Sequence, residues 1–205
     1  MNYGDVEIES HSICFQGFFR IEKFRLRHAL FKGGMSETMS RELFERGQAV
    51  AVLPYDPVLD RVVLIEQFRI GALNDPQGPW LTEIVAGMIA EGETPESVAR
   101  REAEEEAGCV ISELLPICRF YPSPGGCSES AVLFCGCVDA RNVGGIHGLA
   151  HEHEDIRVLT VRFDEAMEWL ESGRINSAAA IMALQWLALN RGRVIAAWQK
   201  QCKDG

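Results

Sequence analysis

The chain has 205 residues, of which 47% are hydrophobic and 24% charged. That excludes a disordered tail and suits one globular domain with a sizeable core and an N-terminal appendage. Thirty acidic residues against twenty basic ones leave a net charge of −10, which disfavours a phosphate-rich polymer such as nucleic acid but allows a small phosphorylated ligand neutralised by recruited metal cations.

Seven cysteines, Cys14, Cys109, Cys118, Cys127, Cys135, Cys137 and Cys202, are odd in number and lack paired CxxC spacing. They read as reduced thiols. No basic region followed by an apolar run opens the sequence, and no stretch approaches about 18 uninterrupted apolar residues. The expectation is a cytoplasmic protein without membrane contact.

From Gly17 to Arg46 basic and apolar residues alternate around Gly33-Gly34, which predicts two paired strands in a small N-terminal sheet. QAVAVLPYD and RVVLIEQFR predict a second hairpin over 48–69, made of core strands. NDPQGPW, residues 74–80, concentrates turn formers and predicts a surface loop before one short strand, LTEIVAG. Thr94 as N-cap, Pro95 at the first helical position and Gly108 at the end predict a helix over 95–107. LLPICRFYPSPGG and AVLFCGCVDA predict two strands joined by a Pro-Gly turn, with Cys135 and Cys137 on one face as core. Residues 139–155, including HEHED, lack periodicity and predict a long loop of the kind that often carries function. Helices are expected at 164–172 and 177–198, the latter with Ile181, Leu184, Leu187 and Leu189 as its apolar set.

On the helix of GMIAEGETPESVARREAEEEAGC, residues 87–109, Glu102 and Glu106 stand four apart, one above the other on one face. Carboxylates that close repel unless a cation sits between them, and hard oxygen donors suit Mg²⁺ or Mn²⁺. Glu93, Arg101 and Glu105 are placed to orient such ligands, and the Ala86-Gly87 turn offers a backbone carbonyl. A solvated charged face is the plainer account of EAEEEAG. It does not explain why the glycines, glutamates and arginine fall at fixed places.

Here the sequence resembles the Nudix hydrolase family, whose box is matched by Gly87, Glu93, Arg101, Glu102, Glu105, Glu106 and Gly108. Ala103 and Cys109 replace larger aliphatic residues, which puts packing rather than metal binding in question. The resemblance implies an α+β fold, an α/β/α sandwich with a mixed central sheet flanked by helices, and cleavage of a nucleoside diphosphate derivative. Downstream, SPGGCSE sets Pro124 sixteen residues beyond Gly108, as in the ADP-ribose pyrophosphatase branch. Similarity to that branch also runs through GFF (17–19), RELFERG (41–47), VVLIEQFRI (62–70), GIHGLA (145–150) and ALQWL (183–187).

Carried over by residue, the resemblance implies metal ligation by the Ala86 carbonyl, Glu102, Glu106 and Glu154, with two or three Mg²⁺ ions per site and Mn²⁺ a possible substitute. Glu152 would be the general base, with Glu154 the alternative. A carboxylate on a mobile loop can approach once substrate and metal have neutralised the site. Arg41, Glu42, Arg46, Arg69, Met88, Ser123, Pro124, Gly125 and Glu129 would contact ADP-ribose. Phe18 and Phe19 would stack on adenine, with strand core as their competing role. His151 and His153 read as solvent-facing rather than as a zinc site.

The family also implies a homodimer with active sites shared between subunits, residues 1–46 forming an exchanged dimerisation sheet and 47–205 the hydrolase domain. Two competing readings are a hydrolase of another nucleotide sugar, of the GDP-mannose or UDP-glucose type, and a catalytically silent nucleotide sensor. The intact glutamate set and the lack of a basic helix-turn-helix segment weigh against the sensor.

Overall fold

The computed structural model describes residues 5–201, the side chain of Glu152 and those of residues 199–201 excepted. Cys202 lies outside them. These residues form two compact units: those up to Gln48 together with Tyr121–Ser130, and the remainder.

The first unit is a three-stranded antiparallel sheet in the order β1-β2-β3, with β1 Val6–Gln16, β2 Arg20–His28 and β3 Met39–Glu45. Two strands were expected. The pair around Gly33-Gly34 is present as β2 and β3, and an eleven-residue strand precedes it. The alternation Val6-Glu7-Ile8-Glu9 carries the signal for that strand, but every residue of β1 is exposed, so no buried face marks it in the sequence. Tyr121–Ser130 joins this unit through the backbone: Phe44 N–H donates to Gly126 O (2.8 Å) and Ser128 N–H to Phe44 O (3.0 Å).

The second unit is built on an eight-stranded sheet. Its strands are β4 Gln48–Asp56, β5 Arg61–Phe68, β6 Trp80–Glu83, β7 Val85–Met88, β8 Glu113–Phe120, β9 Ser130–Cys137, β10 Gly145–His147 and β11 Ile156–Arg162. The order is β10-β11-β5-β4-β9-β8, with β6 also on β5 and β7 also on β4. Most pairs are antiparallel. β4 and β9 finish side by side, with Val138 N–H donating to Tyr55 O (3.2 Å), so they run the same way and the sheet is mixed.

Strand periodicity sorts the core into two layers. Ala51, Leu53 and Tyr55 of β4 and Val62 and Leu64 of β5 pack with helices α2 Phe163–Glu171 and α3 Ala178–Gln201. Val50, Val52, Val63 and Ile65 face the other way, onto Val98, Ala99, Ala103 and Ala107 of α1 Pro95–Ala107. Helices therefore cover both faces, the expected α/β/α sandwich.

Several local expectations change. LTEIVAG is two strands rather than one, because the chain crosses at Ile84 from pairing with β5 to pairing with β4. Residues 139–155 are not structureless: they hold β10 and a 3-10 turn at Ala150–Glu152. β11 was not anticipated, although IRVLTVR alternates. Leu184 and Leu187 are fully buried in α3, whereas Leu189 is 86% exposed and leaves the apolar set. Cys135 is buried with Cys137 packed against its layer, and no disulfide joins any of the six described cysteines.

Asp56, 3% exposed, ties the second sheet together at one end. Its carboxylate accepts the N–H groups of Val58 (2.8 Å), Leu59 (2.9 Å) and Ala140 (2.9 Å). Each orphaned buried donor costs about 1–3 kcal/mol, so Asp56→Ala is expected to lose about 3 kcal/mol or more in urea denaturation, and Asp56→Asn less. Equal stability of the two variants would contradict this role.

Candidate active site

The residues singled out in the box converge on α1, and the reason is local. Thr94 Oγ1 accepts the Ser97 N–H and Ser97 Oγ accepts the Thr94 N–H, a reciprocal box that starts the helix with Pro95 at its first position. Gly108, at φ 61, closes it: Cys109 N–H donates to Ala103 O (2.8 Å) and Gly108 N–H to Glu104 O (3.0 Å). Ala103 and Cys109, the two departures from larger aliphatic residues, are both fully packed, at 0% and 1% exposure. Both small residues are enclosed in the layer where α1 lies on the sheet.

That close approach puts the glutamates against β7. Glu106 is 3% exposed and its Oε2 accepts the N–H of Ala86 (3.0 Å). Glu102, half-buried, lies over Gly87 so tightly that a β-carbon at residue 87 would sit 2.0 Å from Glu102 Oε1. Only glycine admits the carboxylate there. Arg101 then braces the row: its Nη1 contacts Glu102 Oε1 (2.9 Å) and Glu105 Oε2 (2.8 Å), and its Nε contacts Glu93 Oε1 (3.4 Å). Glu93 in turn accepts the Ala90 N–H (2.9 Å), which fixes the turn ahead of the helix.

Burial pushes the Glu106 carboxyl up to about 8; the Ala86 N–H offsets part of that, the charges of Glu102 and Glu154 raise it further, and Arg69 lowers it. Glu102 is also raised, first by burial, with Arg101 opposing and Glu105 and Glu154 adding to the shift. Three acidic groups thus share one field. Among the described residues they do not form a ready-made cluster of metal ligands: Glu106 holds Ala86, Glu102 holds Arg101, and Glu154 Oε2 accepts the Leu149 N–H (3.1 Å).

The 3-10 turn Ala150–Glu152 carries the backbone of Glu152, whose side chain lies outside the described residues. His151 and His153 are exposed, as expected. Arg69 pairs with Glu83 (2.6 Å), a residue the sequence patterns did not single out. Its signal was the register of the β5–β6 pair: Glu83 lies opposite Ile65, whose side chain faces α1. Met88, at the end of β7, is 44% exposed.

The remaining sequence-predicted residues belong to the first unit. Arg46 Nε contacts Glu129 Oε2 (3.2 Å), and the Arg46 N–H donates to Ser128 Oγ (2.9 Å). The Arg46 guanidinium also lies over the rings of Phe19 (4.8 Å) and Phe44 (5.8 Å). Phe18 is 96% exposed in the turn between β1 and β2, so strand core, its competing role, does not hold. Arg41 and Glu42 are exposed on β3, and Ser123, Pro124 and Gly125 on the Pro-Gly turn, where Ser123 O accepts the Cys127 N–H (3.0 Å).

A family model for the NUDIX domain matches residues 45–184. The chain belongs to the NUDIX domain family. It is 51% identical over 194 residues to the ADP-ribose pyrophosphatase of Escherichia coli (strain K12), spanning 95% of this chain and 93% of that one. It is 34% identical over 162 residues to the GDP-mannose pyrophosphatase of Enterobacter sp. (strain 638), spanning 78% and 83%. A crystal structure of an ADP compounds hydrolase overlays 92% of this chain and 96% of its own with a TM-score of 0.71 at 20% identity, a likeness of fold.

The divalent cation implied by the NUDIX box fits these residues. A carboxyl as buried as Glu106 is costly to ionise alone, and two acidic neighbours add to that cost. A hard cation reached by carboxylate oxygens and a backbone carbonyl relieves both.

Proposed function

We propose that the chain hydrolyses the diphosphate bond of ADP-ribose, adding water to give AMP and ribose 5-phosphate, with Mg²⁺ as the cation, two or three ions per site, and Mn²⁺ able to replace it. The observation that carries this reading is the carboxylate pair of half-buried Glu102, lying over Gly87, and buried Glu106, set against β7 by a capped helix, in a chain sharing 51% identity with an ADP-ribose pyrophosphatase across 95% of its length. The similarity to a GDP-mannose pyrophosphatase is lower and covers less of the chain, which favours ADP-ribose over that sugar nucleotide.

Glu102, Glu106, Glu154 and the Ala86 carbonyl would hold the cations. When bound, these offset the negative charge that develops on the phosphorus oxygens. Arg101 orients Glu102 through their 2.9 Å contact and is itself braced by Glu93 and Glu105. Glu152 takes the proton of the attacking water, from a short turn that is separate from the helix bearing Glu102 and Glu106. Arg69 serves the diphosphate through its planar set of donors, and Met88 lines the substrate. Arg41, Glu42, Arg46, Ser123, Pro124, Gly125 and Glu129 bind the sugar and phosphate ends, and Phe18 and Phe19 stack on adenine.

The chain works as a homodimer in the cytoplasm, residues 1–46 forming the exchanged dimerisation sheet, so that each active site draws on both subunits. Two features support the dimer: β1 is an outer strand of its sheet, and it leaves Val6, Ile8, Ile13 and Phe15 about half or more exposed. The free thiols fit a reducing compartment, and among the described residues no helix is long and apolar enough to cross a membrane.

A panel of nucleotide sugars with released phosphomonoester measured by a coupled phosphatase tests the substrate. ADP-ribose is expected to give the highest kcat/KM; a higher value for GDP-mannose or UDP-glucose would reassign it, and no turnover at all would favour a nucleotide sensor. With Mg²⁺ saturating, Glu152→Gln should lower kcat by about 10²-fold or more with little change in KM. A larger loss in Glu154→Gln would exchange the two roles. Light scattering should return twice the chain mass of 22.8 kDa; a monomer that turns over at the full rate would remove the shared site.

A further inference from the structure

One contact at the foot of the acid-bearing turn has no part in the roles above. In the β10–β11 hairpin Gly145 lies opposite Val158 and His147 opposite Ile156. Directly opposed residues share a face of the sheet. Val158 and Ile156 are buried in the layer beneath α1, so His147 is presented to that helix.

Its ring reaches the helix terminus. A β-carbon built on Gly108 would lie 2.7 Å from His147 Cε1 and 3.4 Å from Nδ1, so the imidazole rests on the bare backbone of the C-cap. Gly108 is thus needed twice, for its left-handed φ of 61 and for this approach. On its other side Nε2 of His147 is 3.0 Å from Gly144 O, which closes the start of β10 around the ring. Immediately beyond, the turn is clasped by Leu149 N–H on the Glu154 carboxylate (3.1 Å) and Glu154 N–H on Leu149 O (3.3 Å). A methyl on Gly148 would meet Glu154 Cβ at 2.7 Å, so the clasp too is tightly packed. The end of the helix that carries Glu102 and Glu106 is thus in contact with His147, and His147 leads directly along the chain into the Leu149–Glu154 clasp that closes the turn bearing Glu152.

The geometry points to His147 as a positioning residue: by resting on Gly108 it fixes the turn 148–155 at the C-terminal end of α1, so that carboxylates from two separate elements serve one site. It touches neither substrate nor cation. This role rests on the hydrolase reading above, and it gives the last glycine of the box a second reason beyond ending the helix.

The test uses the full chain with His147→Ala and His147→Phe, read by amide hydrogen exchange without ligand and by steady-state kinetics with Mg²⁺ saturating. In His147→Ala the amides of Leu149 and Glu154 should exchange about 10-fold faster or more while those of α1 keep their protection. The same variant should lose about 10- to 100-fold in kcat with KM within about 2-fold. His147→Phe, which keeps a ring over Gly108, should recover most of both.

Wild-type exchange in 148–155 together with wild-type kcat in His147→Ala would overturn the proposal. So would accelerated exchange spread evenly over α1 and the sheet, which marks a residue that only stabilises the fold. If the wild-type protein turned over no nucleotide sugar, the hydrolase reading would fail on that ground alone, and the exchange measurement would still decide whether His147 holds the turn.

Discussion

A carboxyl group that is 3% exposed sits at the junction of a helix and a strand, and most of this unit is arranged around it. Glu106 has left water for one backbone donor, the Ala86 N–H. Burial alone raises its pKa, and Glu102 and Glu154 raise it again. The Ala86 N–H and Arg69 offset that only in part, since the carboxyl stays well above its ordinary range. The arrangement makes physical sense as a receptor for positive charge: a pair of acidic groups drawn out of water, hard oxygen donors and a second acidic element nearby on a different segment.

The constraint propagates outward through two glycines. Gly87 lets the Glu102 carboxylate lie directly on the β7 backbone, and Gly108 lets His147 lie directly on the end of α1. Between them, small buried residues on one face of the helix, Ala99, Ala103 and Ala107, bring its axis near the sheet. The positions that set the distances of the site are thus the ones with the least side chain. The charged residues can act because these do not intrude.

The helix and the shared face of its glutamates were legible in the sequence because their signals are local. Thr94, Pro95 and Gly108 bound the helix within thirteen residues, and the spacing of Glu102 and Glu106 declares a shared face without any knowledge of the fold. What escaped was set by distant partners. Glu83 shares a face with Arg69 only through the β5–β6 register, which sets it opposite Ile65, and LTEIVAG divides because it serves two neighbouring strands in turn. β1 alternates well but has no buried face, so pattern and burial part company there. Leu189 fits a helical stripe by spacing yet faces solvent, because α3 packs along one side and the stripe was drawn too wide. The strand in 143–155 comes from the pairing of β10 with β11, of which the segment's glycines at 144, 145 and 148 give no local hint.

The account stands on the claim that Glu106 is buried for a cation. The measurement that reaches it most directly is thermal unfolding of the wild-type chain and of Glu106→Gln across a Mg²⁺ titration, starting from chelated protein. A ligand that binds only the folded state raises its stability in proportion to the logarithm of its concentration. The wild type is expected to gain Tm steadily with Mg²⁺. Glu106→Gln, with no carboxyl to ionise in that buried place while still able to accept the Ala86 N–H, should begin no lower than the wild type and gain much less. Equal gains in the two proteins would contradict the claim and put the cation elsewhere.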